Sequence, residues 1–307
     1  MSNSEKSGIW SAMLCYVIWG LLPLYWKTLT NVPSQLILAE RIVWSFVFML
    51  LVLVIGKRMK LFKAEWLNLL KRPKKLLILF ITSAFITVNW GIYIWAVNSN
   101  HIVEASLGYY INPLVSVVFA LIFLKEKLNR LQIIAVTLAV VGVLLLTFQY
   151  GKFPWIAVLL AVSFAVYGLL KKLTPIEAQV GLTLEMMMIA PLALVFLLVA
   201  PNSLSEIGSY DSKTMILLIC AGPMTALPLL LFSQSAQKIP LTLLGFLQYI
   251  APTLQMGIGV YVYGETITQN QFFAYCFIWA ALIVFSFANV LQLKKMSNKV
   301  ERTVSSR

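Results

Sequence analysis

The sequence predicts an all-α integral membrane protein with ten transmembrane helices, arranged as two inverted five-helix repeats. Of its 307 residues, 60% are hydrophobic and 11% are charged, and the mean hydropathy is +0.87. Soluble domains are about half apolar and about a quarter charged, so most of this chain must face lipid. A spanning helix needs roughly 20 apolar residues, which leaves no room for a sizeable soluble domain.

Ten apolar segments follow one another along the chain, and each is predicted to form one transmembrane helix. They cover residues 8–28, 36–56, 76–98, 102–124, 131–148, 153–171, 179–200, 214–236, 242–263 and 270–291. Several connections hold only a few residues, so neighbouring helices must be antiparallel. Between the second and third segments, the stretch from Lys57 to Lys75 carries Phe62, Trp66, Leu69 and Leu70 at helical spacing. It fits an interfacial amphipathic helix or a basic loop that only sets the topology.

The net charge of +13 reflects orientation in a membrane and does not indicate nucleic-acid binding. With the N-terminus in the cytoplasm, 20 of the 24 Lys and Arg residues fall on the cytoplasmic side, three fall outside, and Arg41 lies within a span. Cytoplasmic loops are enriched in Lys and Arg. We therefore predict a multi-pass protein of the cell membrane with both termini in the cytoplasm.

The residue types argue against a membrane-embedded enzyme. His101 is the single histidine and Asp211 the single aspartate, so neither a metalloprotease cluster nor a site for magnesium diphosphate can form. The three cysteines have no short spacing, and no glycine-rich phosphate loop is present. We expect no catalytic residue, no metal and no cofactor. A passive channel or facilitator stays open as an alternative to a transporter.

The two halves of the chain share a signature. Tyr110–Pro113 is echoed by Tyr249–Pro252, and Glu126 and Glu265 each follow thirteen residues after the proline. This offset of 139 residues predicts repeats over residues 1–148 and 149–307. Because each repeat holds five helices, the halves enter the membrane in opposite directions. Inverted repeats that present one central site to either side are typical of secondary transporters; duplicated packing without transport is the alternative.

Long segments of the chain resemble the RarD proteins, which belong to the EamA branch of the drug/metabolite transporter superfamily. The resemblance covers about residues 8–291 and is carried by Tyr16–Lys27, Arg41–Ser45, Asn89–Trp90, Ile94–Asn98, Glu104–Leu114, Leu244–Thr253 and Tyr263–Glu265. It implies a ten-helix bacterial inner-membrane transporter with a central cavity, in a family that exports metabolites or toxic small molecules. We expect a small-molecule substrate and the lipid bilayer as partners and no nucleic acid; whether the chain forms a homodimer stays open. Where the RarD pattern has His before the Arg, this chain has Glu40, so a role of that histidine does not carry over.

Polar and aromatic side chains near the matched prolines are predicted to line the cavity. Pro113 and Pro252 each remove a backbone donor and free a carbonyl, that of Tyr109 or Gln248, so both helices are predicted to break there. Amides, phenols and rings together suit a small solute, although each residue alone also fits interhelical packing. The predicted lining residues are Asn89, Trp90, Tyr93, Tyr109, Asn112, Gln248 and Tyr249. By contrast, Trp10, Trp26 and Trp155 are predicted to be interfacial anchors.

Four ionisable side chains within spans are predicted to act in gating or ion coupling. They are Glu40, Arg41, Glu104 and Glu185. Arg41 and Glu104 fall at the same end of the bundle and can form an ion pair, unless Arg41 snorkels to the headgroups. Glu185 lies about six residues into the seventh segment, with Lys171 and Lys172 as the nearest cations by depth. We expect it to act in gating or proton coupling; capping a backbone break is the alternative.

Overall fold

The computed structural model confirms the all-α fold with ten membrane-spanning helices. It describes residues 3–99, 101–174, 176–200, 207–264 and 266–305. The helices are α1 (Asn3–Trp26), α2 (Ser34–Ile55), α3 (Met59–Leu70), α4 (Pro73–Asn98), α5 (Ile102–Phe123), α6 (Arg130–Tyr150), α7 (Trp155–Leu173), α8 (Ala178–Val199), α9 (Ser212–Lys238), α10 (Leu241–Leu247), α11 (Ile250–Tyr263) and α12 (Gln269–Ser305). All except α3 contribute to spans, and α10 and α11 share one span, Leu241–Tyr263.

Matched capping residues begin α6 and α12. The Asn129 side chain accepts a hydrogen bond from the Gln132 backbone at 2.9 Å, and the Gln132 side chain accepts one from the Asn129 backbone at 2.9 Å. Thr268 and Gln271 make the same exchange at the start of α12, at 3.0 and 3.3 Å. Each exchange satisfies two backbone donors that a helix start would otherwise leave unpaired. The two halves therefore use one helix-start signal, 139 residues apart.

Repeat-related helices pack against each other. The fifth span, α6, packs along the tenth, α12, while α5 packs against α10 of the ninth span. Glycines permit both approaches: a Cβ on Gly142 would lie 2.8 Å from the carbonyl oxygen of Ala274, and one on Gly245 would lie 3.1 Å from that of Pro113. Small residues at such crossings are usual in membrane helices. Pairing of equivalent spans is the arrangement expected of inverted repeats.

The basic segment after α2 contains a helix, α3, and is therefore more than a basic loop. Leu69 is buried, and Phe62 and Trp66 pack beside it against a cluster that includes residues of α4 and α8. Leu70 is 52% exposed and faces away from that cluster. Three of the four predicted apolar residues thus contact protein, while the position of α3 relative to a bilayer stays a prediction.

Candidate functional site

A cavity of about 180 Å³ lies in the centre of the bundle, with walls from helices of both halves. Six of the seven predicted lining residues border it: Asn89, Trp90, Tyr93, Tyr109, Asn112 and Gln248. Tyr249 does not; it is fully buried outside the cavity against Phe246, with ring centres 6.2 Å apart. Further wall residues that the predicted lining set lacks come mostly from α1, α2, α7 and α9, with others from α5 and α11. Among them are Tyr16, Trp19, Pro23, Trp26, Arg41, Phe164 and Thr225.

The amide groups of the cavity are tied to neighbouring helices. Asn89 Nδ2 donates to Leu160 O and to Ser163 Oγ, both at 2.9 Å, and so joins α4 to α7. Ser116 Oγ donates to Asn112 Oδ1, and Gln248 Nε2 donates to Ser116 Oγ, each at 3.5 Å. Asn89 and Gln248 therefore hold helices together while they border the cavity, whereas the bond to Asn112 lies within α5. Cavity lining and helix packing, set apart as alternatives by the sequence, are combined in the same side chains.

The two matched prolines differ in whether the helix is interrupted near them. The ninth span breaks between α10 and α11, three residues before Pro252, whereas α5 continues through Pro113. The predicted break at Pro113 is therefore wrong, because one missing backbone bond leaves the neighbouring helical bonds in place. At the observed break, the Gln248 carbonyl accepts a bond from Ala251 N at 3.1 Å and is not free. Tyr110 Oη donates to the Pro252 carbonyl at 3.2 Å and links the two spans.

Arg41 borders the cavity and has no ion-pair partner within the part of the chain that the structure describes. Its guanidinium carbon lies 4.6 Å from the ring centre of Trp90 and 5.8 Å from that of Trp26. Its Nε and Nη2 atoms are buried and have no hydrogen-bond partner among those residues. Trp26, expected to be an interfacial anchor, lines the cavity beside Arg41; its position relative to a bilayer stays a prediction.

The structure does not bring Arg41 and Glu104 together. Glu104 Oε1 accepts a bond from Ile156 N at 2.8 Å, and Glu104 Oε2 accepts one from Tyr150 Oη at 2.5 Å. The carboxylate thereby caps the N-terminus of α7, where the helix dipole favours negative charge. Glu40 is also buried, and it accepts a bond from Trp44 Nε1 at 2.8 Å on its own helix. Neither carboxylate contacts the cavity.

An aromatic cluster lies between the cavity and the end of the bundle at which α1 begins, here called the N-terminal side. Lys238 Nζ donates to Ser7 Oγ at 3.0 Å, which places the end of α9 on that side as well. Tyr16, Phe164, Tyr167 and Phe232 form the cluster together with Trp19, and their ring centres lie 5.3 to 5.9 Å apart. Tyr16, Tyr167 and Phe232 are at most 1% exposed.

A buried ion pair lies beyond this cluster on the N-terminal side. Lys171 Nζ is 2.8 Å from Glu185 Oε1, and the two side chains are 4% and 2% exposed. Tyr167 Oη donates to Glu185 Oε2 at 3.3 Å. Glu185 therefore has Lys171, one of the two cations expected near it, as its partner. Lys172 instead donates to the Ile239 carbonyl at 2.6 Å.

One weak sequence echo marks the wall that the predicted set lacks. Trp19–Leu22 of α1 resembles Tyr167–Leu170 of α7, and the structure places both aromatic residues in one cluster, with Trp19 also in the cavity wall. Thr225 and Phe164 carry no sequence signal that separates them from packing residues. Glu265, part of the repeat signature, lies outside the described residues.

Comparisons with known proteins agree with this architecture. Residues 6–148 match the EamA-like transporter family. An uncharacterized transporter of Bacillus subtilis, YojE, is 49% identical over 94% of this chain and 97% of its own length. The chain belongs to the EamA family. The Escherichia coli protein RarD is 41% identical over 92% of this chain and 95% of its own, so the resemblance to RarD proteins is confirmed. A protein crystal structure with 19% identity has a TM-score of 0.70, covers 92% of this EamA chain and 98% of its own, and shares the fold. The protein is a multi-pass membrane transporter.

Proposed function

We propose that this chain is a secondary transporter that exports a small organic metabolite through the central cavity by alternating access. The observation that carries the proposal is a cavity between the two halves that buried side chains close on the N-terminal side. Inverted repeats exchange the exposure of such a site between the two sides of the membrane. The volume of about 180 Å³ is below the roughly 300–1,000 Å³ of drug-sized pockets, which favours a small metabolite over a larger drug.

The N-terminal side is the cytoplasmic side in this proposal. The support is the bias of Lys and Arg, 20 against three, toward the loops and tails of that side. Reporter fusions after Lys75 and Arg130 should then read inside, and fusions after Lys152 and Lys213 outside. A single reversed reading in this series would contradict the orientation.

The aromatic cluster and the pair of Lys171 with Glu185 act as the inner gate in this mechanism. A channel needs a continuous path, whereas here fully buried rings lie between the cavity and the N-terminal side. If Glu185 also couples transport to protons, Glu185→Gln should still exchange substrate but no longer respond to an imposed pH gradient. A Glu185→Gln protein with normal pH dependence of accumulation would leave Glu185 a gating residue only.

The substrate and the direction can be found together. Metabolite profiles of cells that lack or overproduce the protein should identify a solute that rises inside the deletion strain and falls on overproduction. Everted membrane vesicles should then accumulate that solute above its equilibrium level. Equilibration without accumulation would instead show a facilitator, and accumulation in right-side-out vesicles would show import.

Matched variants test the cavity in the same assay. Asn112→Leu and Gln248→Leu should abolish accumulation with normal protein levels in the membrane, because each removes a polar group from the cavity wall. Gln35→Leu, at an exposed glutamine near the start of α2, should transport normally. Full activity of both cavity variants would return these amides to a packing role alone.

A further inference from the structure

We infer that the transported solute carries a carboxylate and that Arg41 binds it; this inference rests on the proposed function. Arg41 is the single charged side chain in the wall of the cavity formed by the described residues. The sequence analysis placed it among gating residues, but two of its buried hydrogen-bond donors have no partner among the described residues.

A guanidinium in this position is poorly satisfied by the protein alone. Charged groups within spans are costly and usually pair, and buried donors without acceptors lose the hydrogen bonds that they make in water. The rings of Trp90 and Trp26, at 4.6 and 5.8 Å, supply cation–π attraction. They accept no hydrogen bond in the plane of the guanidinium, where Nε and Nη2 have no partner in the described part of the chain.

The unpaired edge of Arg41 has the chemistry of a carboxylate site. Guanidinium presents parallel N–H groups that match the two oxygens of a carboxylate. Tyr93 and Tyr109, whose ring centres are 6.0 Å apart, also border the cavity, and phenolic hydroxyls can donate hydrogen bonds to a carboxylate. The surrounding aromatic walls favour an organic body over a bare inorganic anion.

Two further unpaired groups define the rest of the solute. Gln248 Oε1 and Thr225 Oγ1 are buried without a hydrogen-bond partner among the described residues, and both side chains border the same cavity. Gln248 Oε1 can only accept a hydrogen bond. The complementary solute therefore has a hydrogen-bond donor, such as a hydroxyl group, in addition to its carboxylate.

Matched acids and amides test this inference on the purified full-length protein. The probes are 2-hydroxybutyrate and 3-phenyllactate, each compared with its own amide, and inorganic phosphate. Binding is measured as ligand-dependent thermal stabilisation. At least one acid should bind the wild type about 10- to 100-fold more tightly than its amide, the range set by a hydrogen-bonded charge.

Substitution of Arg41 should remove this preference. Arg41→Gln should weaken binding of the acid about 10- to 100-fold and leave binding of the amide unchanged, and Arg41→Lys should lie between. Lys27→Gln is the matched control, because Lys27 also contacts an aromatic ring, with Nζ 3.3 Å from the ring centre of Tyr263, but does not border the cavity. It should bind like the wild type.

Several results would overturn the inference. They are equal binding of acid and amide, no binding of either acid to the wild type, unchanged acid binding in Arg41→Gln and Arg41→Lys, or phosphate competing as tightly as the acids. The wild-type comparison decides the matter even if a variant fails to fold. Everted vesicles that accumulate a neutral metabolite would contradict a carboxylate on the solute but support export. Binding of an acid without accumulation in vesicles would contradict export but support a carboxylate site.

Discussion

Breaking the buried pair of Lys171 and Glu185 should open the N-terminal side of the cavity. Removing one partner of a buried pair leaves the other charge without compensation, at a cost of about 3–5 kcal/mol, and both side chains here are almost fully buried. In an open state the remaining charge contacts water, so the cost falls on the closed state. Since about 1.4 kcal/mol is a factor of ten, the ratio of closed to open protein should fall at least about 100-fold.

Cys15 is a native reporter of this opening. It is fully buried on α1 and directly precedes Tyr16 of the aromatic cluster. With Cys220 and Cys276 replaced by serine, it is the only thiol among the three cysteines of the chain. Where opening is fast, the rate of labelling by N-ethylmaleimide is proportional to the open fraction. Glu185→Gln and Lys171→Met should each label faster than the parent protein by the factor given above.

A double variant tests whether faster labelling comes from the uncompensated charge. Lys171→Met combined with Glu185→Met removes both charges, and apolar replacement of a buried pair is often neutral or stabilising. Its labelling rate should return to that of the parent. If the single variants label at the parental rate, or if the double variant labels faster than either, the pair does not hold the closed state.

Two predictions concern stability. A Cβ on Gly222 would lie 2.3 Å from the Trp44 carbonyl carbon. Gly222→Ala should therefore separate α9 from α2, lower the free energy of unfolding by about 1–3 kcal/mol and lower Tm. Gly257→Ala is the control, because Gly257 has open space around it, and its Tm should not fall. Asp211 caps α9, and hydrogen bonds from Thr214 lower the pKa of its carboxyl. A lowered folded-state pKa gives stability that is present above the unfolded value, near 3.9, and lost as the pH falls through the folded value. Asp211→Ala should therefore lower Tm at neutral pH, and this difference from the wild type should shrink in acid.

The spans could be predicted closely because spanning a bilayer is a local property of the sequence. A run of about 20 apolar residues has few other solutions, and the predicted and observed limits of α5 differ by one residue at Phe123. Breaks within spans are harder to predict, because a proline removes one bond and the surroundings decide the rest. Pro113 and Pro252 follow similar motifs, Tyr110–Asn112 and Tyr249–Ala251, but only the second lies beside a break.

The polar residues of the cavity were accessible to sequence analysis only in part. Amides in an apolar helix stand out, so Asn112 and Gln248 could be found without a structure. The partners of charged residues depend on which helices pack together. Glu104 caps α7 instead of pairing with Arg41, and nothing in the local sequence of either residue indicates that choice.

When the second spans of the two halves are aligned from their first residues, the halves differ in the partner of their charged residue. Arg41 lies seven residues after the first residue of α2 (41 − 34), and Glu185 lies seven after the first residue of α8 (185 − 178). These are the second spans of their repeats. Pro23 lies four residues after Trp19, as Lys171 lies four after Tyr167. The second half therefore has an internal partner for its charged residue where the first half has a proline.

This equivalence makes a last prediction. Pro23 and Arg41 both border the cavity, whereas Lys171 and Glu185 do not. Pro23→Glu should supply the internal partner that the first half lacks and pair with Arg41. It should then weaken carboxylate binding about 10- to 100-fold, the effect also expected for Arg41→Gln. Pro23→Gln is the control, because it restores the same backbone donor and adds no charge. If Pro23→Glu binds 3-phenyllactate like Pro23→Gln, the two positions do not meet and the equivalence is wrong. If only Pro23→Glu binds 3-phenyllactate more weakly, the carboxylate site lies at the position where the first half lacks a counterpart of the Lys171–Glu185 ion pair.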